Sequence, residues 1–286
     1  MTNDTMNRRN LLTGAVVTGI ATAAGAATSQ SQGIAAARPL TGKVAIVTGA
    51  RNNLGRGFAV TLGGMGASVL VHHHRANSRA EAEETARLVE RAGGRAQIFV
   101  GDLTNADTMR GLYDAAQSSF GGVDIALNSV GMIIKKPMAQ VTDAEFDQLD
   151  AVNNKALFYF LREAATRVRD GGRIILTGTS LLAGAAPGYT IYAGTKAPVE
   201  EYTRMLAREL ADKRITVNNI GPGPVDTPFF HGAETPQSVA YATALSTERR
   251  LGRVEDITPI VAFLASADSQ WVNGQSLWIN GGYLTR

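Results

Sequence analysis

Lys43-Val44-Ala45-Ile46-Val47-Thr48 is a short run of mostly branched apolar residues, and it ends in Gly49-Ala50-Arg51-Asn52-Asn53-Leu54-Gly55-Arg56-Gly57. Run length and branching predict a buried strand. The small residues after it predict a tight turn into a helix reaching about Met65. A strand, a glycine-rich turn and a helix in that order let a backbone approach a phosphate. The helix start adds free N–H groups and a positive dipole end. The same features would also serve a plain strand-to-helix connection.

The alternation then repeats along the chain. Strands are predicted at Ala67–His72, Ala96–Val100, Val123–Leu127, Gly171–Leu176, Ile215–Ile220 and Gln275–Ile279. Between them lie helical patterns. One is opened by Ser78-Arg79-Ala80-Glu81, read as a capping box, and ends at Gly93-Gly94. A second runs from Ala106 to Phe120. A third begins at the capping box Thr142-Asp143-Ala144-Glu145 and passes Phe146, Leu149 and Val152. It reaches Asn153-Asn154-Lys155 and resumes from Ala156 to Val168. A fourth runs from Tyr192 to about Asp212, and a fifth from Val254 to Ala265. Residues Phe229–Thr247 read as a long, less regular segment, the best candidate for a mobile lid. The expected fold class is α/β: a single-domain, Rossmann-like, doubly wound parallel sheet of about seven strands with helices on both faces.

Composition narrows the function. The chain has 286 residues, enough for one large α/β domain, and 31 glycines suit many tight turns. A formal charge of +3 without a basic run gives no reason to expect a nucleic-acid partner. The absence of cysteine excludes disulfides, thiolate metal sites and cysteine nucleophiles. His72, His73 and His74 adjoin one another and His231 lies far away, a pattern that does not suggest a metal site.

Residues 1–37 differ from the rest. Arg8-Arg9 precede Leu11-Leu12 and a mildly apolar stretch to about Ala27. Ala21-Thr22-Ala23 and Ala24-Gly25-Ala26 are small-residue cleavage options. This pattern resembles a twin-arginine export signal, implying a periplasmic or secreted protein with no membrane span once the signal is removed. The alternative is an uncleaved tail on a cytoplasmic enzyme. Residues 38–286 are expected to form the catalytic domain.

Two places carry chemistry. The second strand does not end in the acidic residue that would bind a ribose 2′-hydroxyl. It leads into His73-His74-Arg75 instead. A guanidinium suits a 2′-phosphate, and Arg51 in the first turn could close on it from the other side. Further along, Thr179 and Ser180 follow a strand, and Tyr192 precedes Lys196 by four residues. On a helix, that spacing puts phenol and ammonium on one face. A free phenol titrates near about 10, and a nearby positive charge favours its ionised form. A phenol, an ammonium and a hydroxyl together form general acid/base apparatus for a ketone or an alcohol.

Taken in order, these motifs resemble the short-chain dehydrogenase/reductase family over Pro39–Arg286. The resemblance implies NADP(H) as cofactor and a small carbonyl or alcohol substrate. It implies hydride transfer with Tyr192 as general acid/base and Lys196 lowering the phenol's pKa. Thr179 or Ser180 would polarise the carbonyl. Asn153 would hold a water in a proton relay. Cofactor contacts would come from Gly49, Arg51, Asn53, Leu54, Gly55, His74, Arg75, Asp102, Leu103, Asn128, Gly131, Tyr192, Lys196, Pro222, Gly223, Val225 and Thr227. A homotetramer is implied as well. The chain departs from the family pattern at Asn53, where a glycine is usual. It also departs at Asn128-Ser129-Val130-Gly131, which stands for Asn-Asn-Ala-Gly. Thr179 stands thirteen residues before Tyr192, the place of the family serine. The competing reading is a sensor or scaffold that binds NADP without turnover. Leu181, Leu182, Met132, Ile133, Tyr189, Phe229 and Phe230 are candidates to line an apolar pocket.

Overall fold

The computed structural model describes residues 38–285; the expected export signal at the N-terminus lies outside them. Seven strands form one parallel sheet: β1 Val44–Val47, β2 Ser68–His73, β3 Arg95–Val100, β4 Val123–Asn128, β5 Val168–Thr177, β6 Thr216–Pro222 and β7 Ser276–Ile279. Their spatial order is β3-β2-β1-β4-β5-β6-β7. Winding runs outward in both directions from β1, so the strand order reverses between β1 and β4. A crevice opens at such a switch point, beyond the carboxyl ends of the strands.

Among the described residues ten helices accompany the strands: α1 Asn53–Gly64, α2 Arg79–Arg91, α3 Ala106–Phe120, α4 Asp143–Asp150, α5 Ala156–Arg167, α6 Thr190–Lys196, α7 Pro198–Glu209, α8 Pro228–His231, α9 Pro236–Leu245 and α10 Val254–Ala265. Alternate strand residues feed opposite cores, as the pleat requires. Ala45, Val47, Ile125 and Leu127 pack with Phe58 and Leu62 of α1, Val89 of α2 and Val261 of α10. Ile46, Ala126, Ile174 and Leu176 pack with Leu112 of α3, Phe160 of α5 and Val199 of α7. A smaller cluster of Leu149, Tyr189, Ile191 and Tyr192 sits apart from both, against Met132 and Ile133.

Three local expectations are corrected. Ser78 does not cap α2. Its hydroxyl bonds the Arg75 carbonyl at 2.8 Å and lies 3.1 Å from His73 Nδ1, while Glu81 turns to Arg51. The helix expected from Tyr192 to Asp212 is two helices. The backbone angles stay helical at Ala197, but Pro198 has no N–H to continue the ladder. The segment Phe229–Thr247 contains α8 and α9. Pro228 and Pro236 each stand in the first turn of a helix, where no N–H is missed. The interruption expected at Asn153-Asn154-Lys155 is present between α4 and α5. Residues Ala151–Lys155 form a π-turn, with the Ala156 N–H bonded to the Ala151 carbonyl. The Thr142–Glu145 capping box stands as expected, with both reciprocal bonds made.

Candidate active site

A cavity of about 900 Å³ opens along the carboxyl ends of the strands. Its first half is built on the turn after β1. Gly49 has φ +66° and Asn53 φ +48°, both left-handed. Asparagine is one of the few side chains that tolerate this conformation, so the departure at Asn53 keeps the backbone of the turn. Gly55 is required by closeness instead: a Cβ there would stand 2.2 Å from the Gly49 carbonyl oxygen. The α1 N-terminus is thereby presented to the cavity through Asn53, Leu54 and Gly55.

His72 holds this turn from behind. Its Nδ1 accepts the Gly49 N–H at 3.0 Å, and its Nε2 lies 2.9 Å from the Gly101 carbonyl. The hydrogen therefore sits on Nε2 and the ring is neutral. Burial, foremost, and the neighbouring histidines push its pKa down to about 4, against the Gly101 bond. Thr48 supports the same end of the sheet, its Oγ1 accepting from Ser129 N at 3.1 Å.

At the end of β2, His74 and Arg75 line the cavity beside Asp102, Leu103 and Thr104. Asp102 Oδ1 accepts from Thr104 N at 2.9 Å and Thr104 Oγ1 at 2.8 Å. Partial burial alone would raise the Asp102 pKa. The Thr104 bonds and the His74 and Arg75 charges outweigh it and hold it below the ordinary value. Arg51 lines the cavity too, but its guanidinium pairs with Glu81 rather than standing free. Both members are more than two-fifths exposed, so the pair is weak and can exchange partners. The Arg75 guanidinium has no salt bridge among the described residues.

The second half of the cavity is built on β5 and α6. Tyr192 and Lys196, one turn apart on α6, are both buried and both reach it. The Tyr192 hydroxyl faces the Thr179 side chain. Burial pushes the phenol's pKa up to about 12, with Thr179 acting the other way. Lys196 Nζ donates to the Thr177 carbonyl at 3.2 Å and, more weakly, to the Val130 carbonyl at 3.4 Å. Burial lowers its pKa to about 8. The two groups are therefore driven toward their neutral forms. The expected lowering of the phenol's pKa by the ammonium is absent from the protein itself, because the ammonium is turned onto backbone carbonyls. Of the two candidate hydroxyls, Thr179 meets Tyr192; Ser180 lines the cavity beside it.

Two expected site residues lie behind the wall. Asn128 is buried at the end of β4 and does not line the cavity. Asn153, in the π-turn, is buried as well. Its Oδ1 accepts Met132 N at 2.8 Å, and its Nδ2 donates to Met132 O at 3.0 Å and Thr195 Oγ1 at 3.1 Å. That amide ties the loop after β4 to α6. The other expected cofactor and catalytic residues line the cavity, as do Leu181, Met132, Ile133, Tyr189, Phe229 and Phe230. Leu182 packs against the main core instead. Sequence reasoning missed Glu234, Tyr241 and Tyr283, which also line the substrate end. No motif marks them: Glu234 and Tyr241 lie in the α8–α9 segment and Tyr283 follows β7, all far in sequence from Tyr192.

A family model described as enoyl-(acyl carrier protein) reductase matches residues 49–284. The chain belongs to the short-chain dehydrogenase/reductase family. A short-chain type dehydrogenase/reductase of Picea abies is 39% identical over 253 residues, covering 85% of this chain and 93% of that one. A crystal structure of a Burkholderia cenocepacia protein with bound NADP superposes with a TM-score of 0.84 at 41% identity, covering 88% of this chain and 97% of that one. The angucycline C-6 ketoreductase LanV, also with bound NADP, superposes with a TM-score of 0.80 at 34% identity, covering 86% and 97%.

Proposed function

We propose that this short-chain dehydrogenase/reductase is an NADP(H)-dependent oxidoreductase acting on a carbonyl or alcohol, with Tyr192 as its general acid/base. The carrying observation is the buried Tyr192 hydroxyl, facing Thr179 and one helical turn from Lys196, in the same cavity as the glycine turn. A dinucleotide fits that cavity. The left-handed Asn53 and the close Gly55–Gly49 packing make a cradle for a pyrophosphate, and Arg75, with no salt bridge among the described residues, suits a 2′-phosphate. When bound, NADPH supplies the hydride that the carbonyl carbon receives. Tyr192 hands its phenolic proton to the carbonyl oxygen. Its raised pKa keeps that proton in place at neutral pH, where a donor is needed. Thr179 steers the carbonyl oxygen toward the phenol, and Ser180 stands behind it. Lys196 offers its remaining N–H to the ribose hydroxyls.

The test is Tyr192→Phe, assayed with NADPH over a panel of ketones, aldehydes and an enoyl thioester. Turnover should fall about 10²- to 10⁴-fold, with NADPH still bound as read by its fluorescence. Unchanged turnover would remove the mechanism. Reduction of the enoyl thioester alone would move the substrate class to C=C bonds. Bound NADPH without turnover of any substrate by the unaltered protein would favour the sensor.

We also propose that the chain is exported by a twin-arginine route and works as a homotetramer. Arg8-Arg9 with the apolar stretch after them support the first, and family likeness supports the second. A folded-protein route would let the cofactor leave the cytoplasm already bound. N-terminal sequencing after cell fractionation tests the export, an intact Met1 in the cytoplasm being the contrary result. Light scattering tests the assembly, a monomer being the contrary result.

A further inference from the structure

The roof of the substrate end is formed by α8 and α9, and one acid lies buried in the turn between them. The Glu234 side chain is only 3% exposed. A buried carboxylate is costly unless paired. Glu234 finds partners in two segments outside the roof. It pairs with Lys135, in the loop after β4, and accepts a hydrogen bond from the Tyr189 hydroxyl, just before α6. Ser238 of α9 stands near it as well. Burial would raise the Glu234 pKa, but Lys135, Ser238 and Tyr189 prevail and lower it. Burial and the facing carboxylate raise that of Tyr189. The carboxylate is thus charged and the phenol is a fixed donor.

The loops carrying Lys135 and Tyr189 are already joined by their backbones, Lys136 N donating to Gly188 O at 2.9 Å. Lys135 Nζ also stands 4.9 Å from the centre of the Tyr189 ring. The Tyr189 ring in turn stands edge-on to Tyr192, with centres 5.9 Å apart. A single chain of contacts therefore runs from the roof to the proposed proton donor.

We propose that Glu234 is a positioning residue: it latches the α8–α9 segment over the substrate end and, through Tyr189, braces the ring of Tyr192. The latch stands on its own; the bracing rests on the reading of Tyr192 as proton donor. Chymotrypsin reads the latch without any substrate, since Phe229, Tyr241 and Leu245 in this segment are exposed. Lys135→Met and Glu234→Ala should each speed cleavage within residues 228–245 by about tenfold or more. The double variant should be no faster than the single ones, because all three break one latch. Glu234→Gln still accepts from Tyr189 but loses the charge facing Lys135, and should fall between; it carries the test if Glu234→Ala does not fold.

Cleavage at the unaltered rate in Lys135→Met and Glu234→Gln, or fully additive effects in the double variant, would overturn the latch. The bracing is read with NADPH and 9,10-phenanthrenequinone, or with whichever carbonyl of the panel is turned over. Glu234→Gln should raise KM and lower kcat, and Tyr189→Phe should lower kcat with a smaller change in KM. An unchanged kcat in both would overturn the bracing. Retained turnover in Tyr192→Phe would instead count against the general-acid reading, leaving the proteolysis result to decide the latch.

Discussion

Arg75 and Arg51 are both cations at the mouth of the adenosine end, yet they are not equivalent. Arg51 already has Glu81, while Arg75 has no acid paired with it among the described residues. A ligand phosphate gains most from the guanidinium that breaks no existing pair to reach it. Arg75→Ala should therefore weaken NADPH binding by about ten- to a hundredfold, the scale of one charge-assisted contact, and leave NADH binding nearly unchanged. Titration of both nucleotides by fluorescence checks this, and equal losses for the two would place Arg75 away from the 2′-phosphate. Ser78 illustrates the same competition for partners. Its hydroxyl was expected to cap α2, but the Arg75 carbonyl and His73 are nearer.

Between elements, the π-turn at Ala151–Lys155 is the joint that matters most. It lets Asn153 turn inward and meet both Met132 and Thr195. Those bonds tie the loop after β4 to the helix bearing Tyr192 and Lys196. Asn153→Ala would leave the Met132 N–H and carbonyl unsatisfied. It should cost about 2–4 kcal/mol in urea unfolding, with turnover falling more than NADPH affinity. A stable variant with full activity would show that the joint is dispensable. The order of elements was legible because each strand and helix carries its own period. Helices α3 and α10 fall at the expected bounds. The break at Pro198 and the helices α8 and α9 were harder to read, because proline marks a helix start as readily as a helix stop.

Stability of the folded chain should also carry the mark of its buried bases. His72 is held to about 4 in the fold against an ordinary 6.5. Between those values the unfolded chain binds more protons than the folded one. The stability is thus fully present above pH 6.5 and is lost as pH falls toward 4. From pH 7 to 5 this loss should amount to about 2 kcal/mol. Urea unfolding at the two pH values measures it, and His72→Gln should flatten the difference. Lys196 acts in another window. Its pKa is lowered from 10.5 to about 8, so stability should rise as pH climbs between those values. Tyr192 opposes that gain only above about pH 10, where the unfolded chain loses its phenolic proton first.

What the amino-acid order determined by itself was whatever depends on near neighbours. Strand and helix periods, the left-handed Asn53 in a glycine turn, and the one-turn spacing of Tyr192 and Lys196 are all of this kind. Tertiary structure alone decided which polar groups meet. It turned Lys196 onto the Thr177 and Val130 carbonyls, gave Asn153 to Met132, gave Arg51 to Glu81 and closed Glu234 onto Tyr189 and Lys135. The reason is that a buried hydrogen bond or charge is settled by whichever partner packing brings within about 3 Å, and those partners come from segments tens of residues apart.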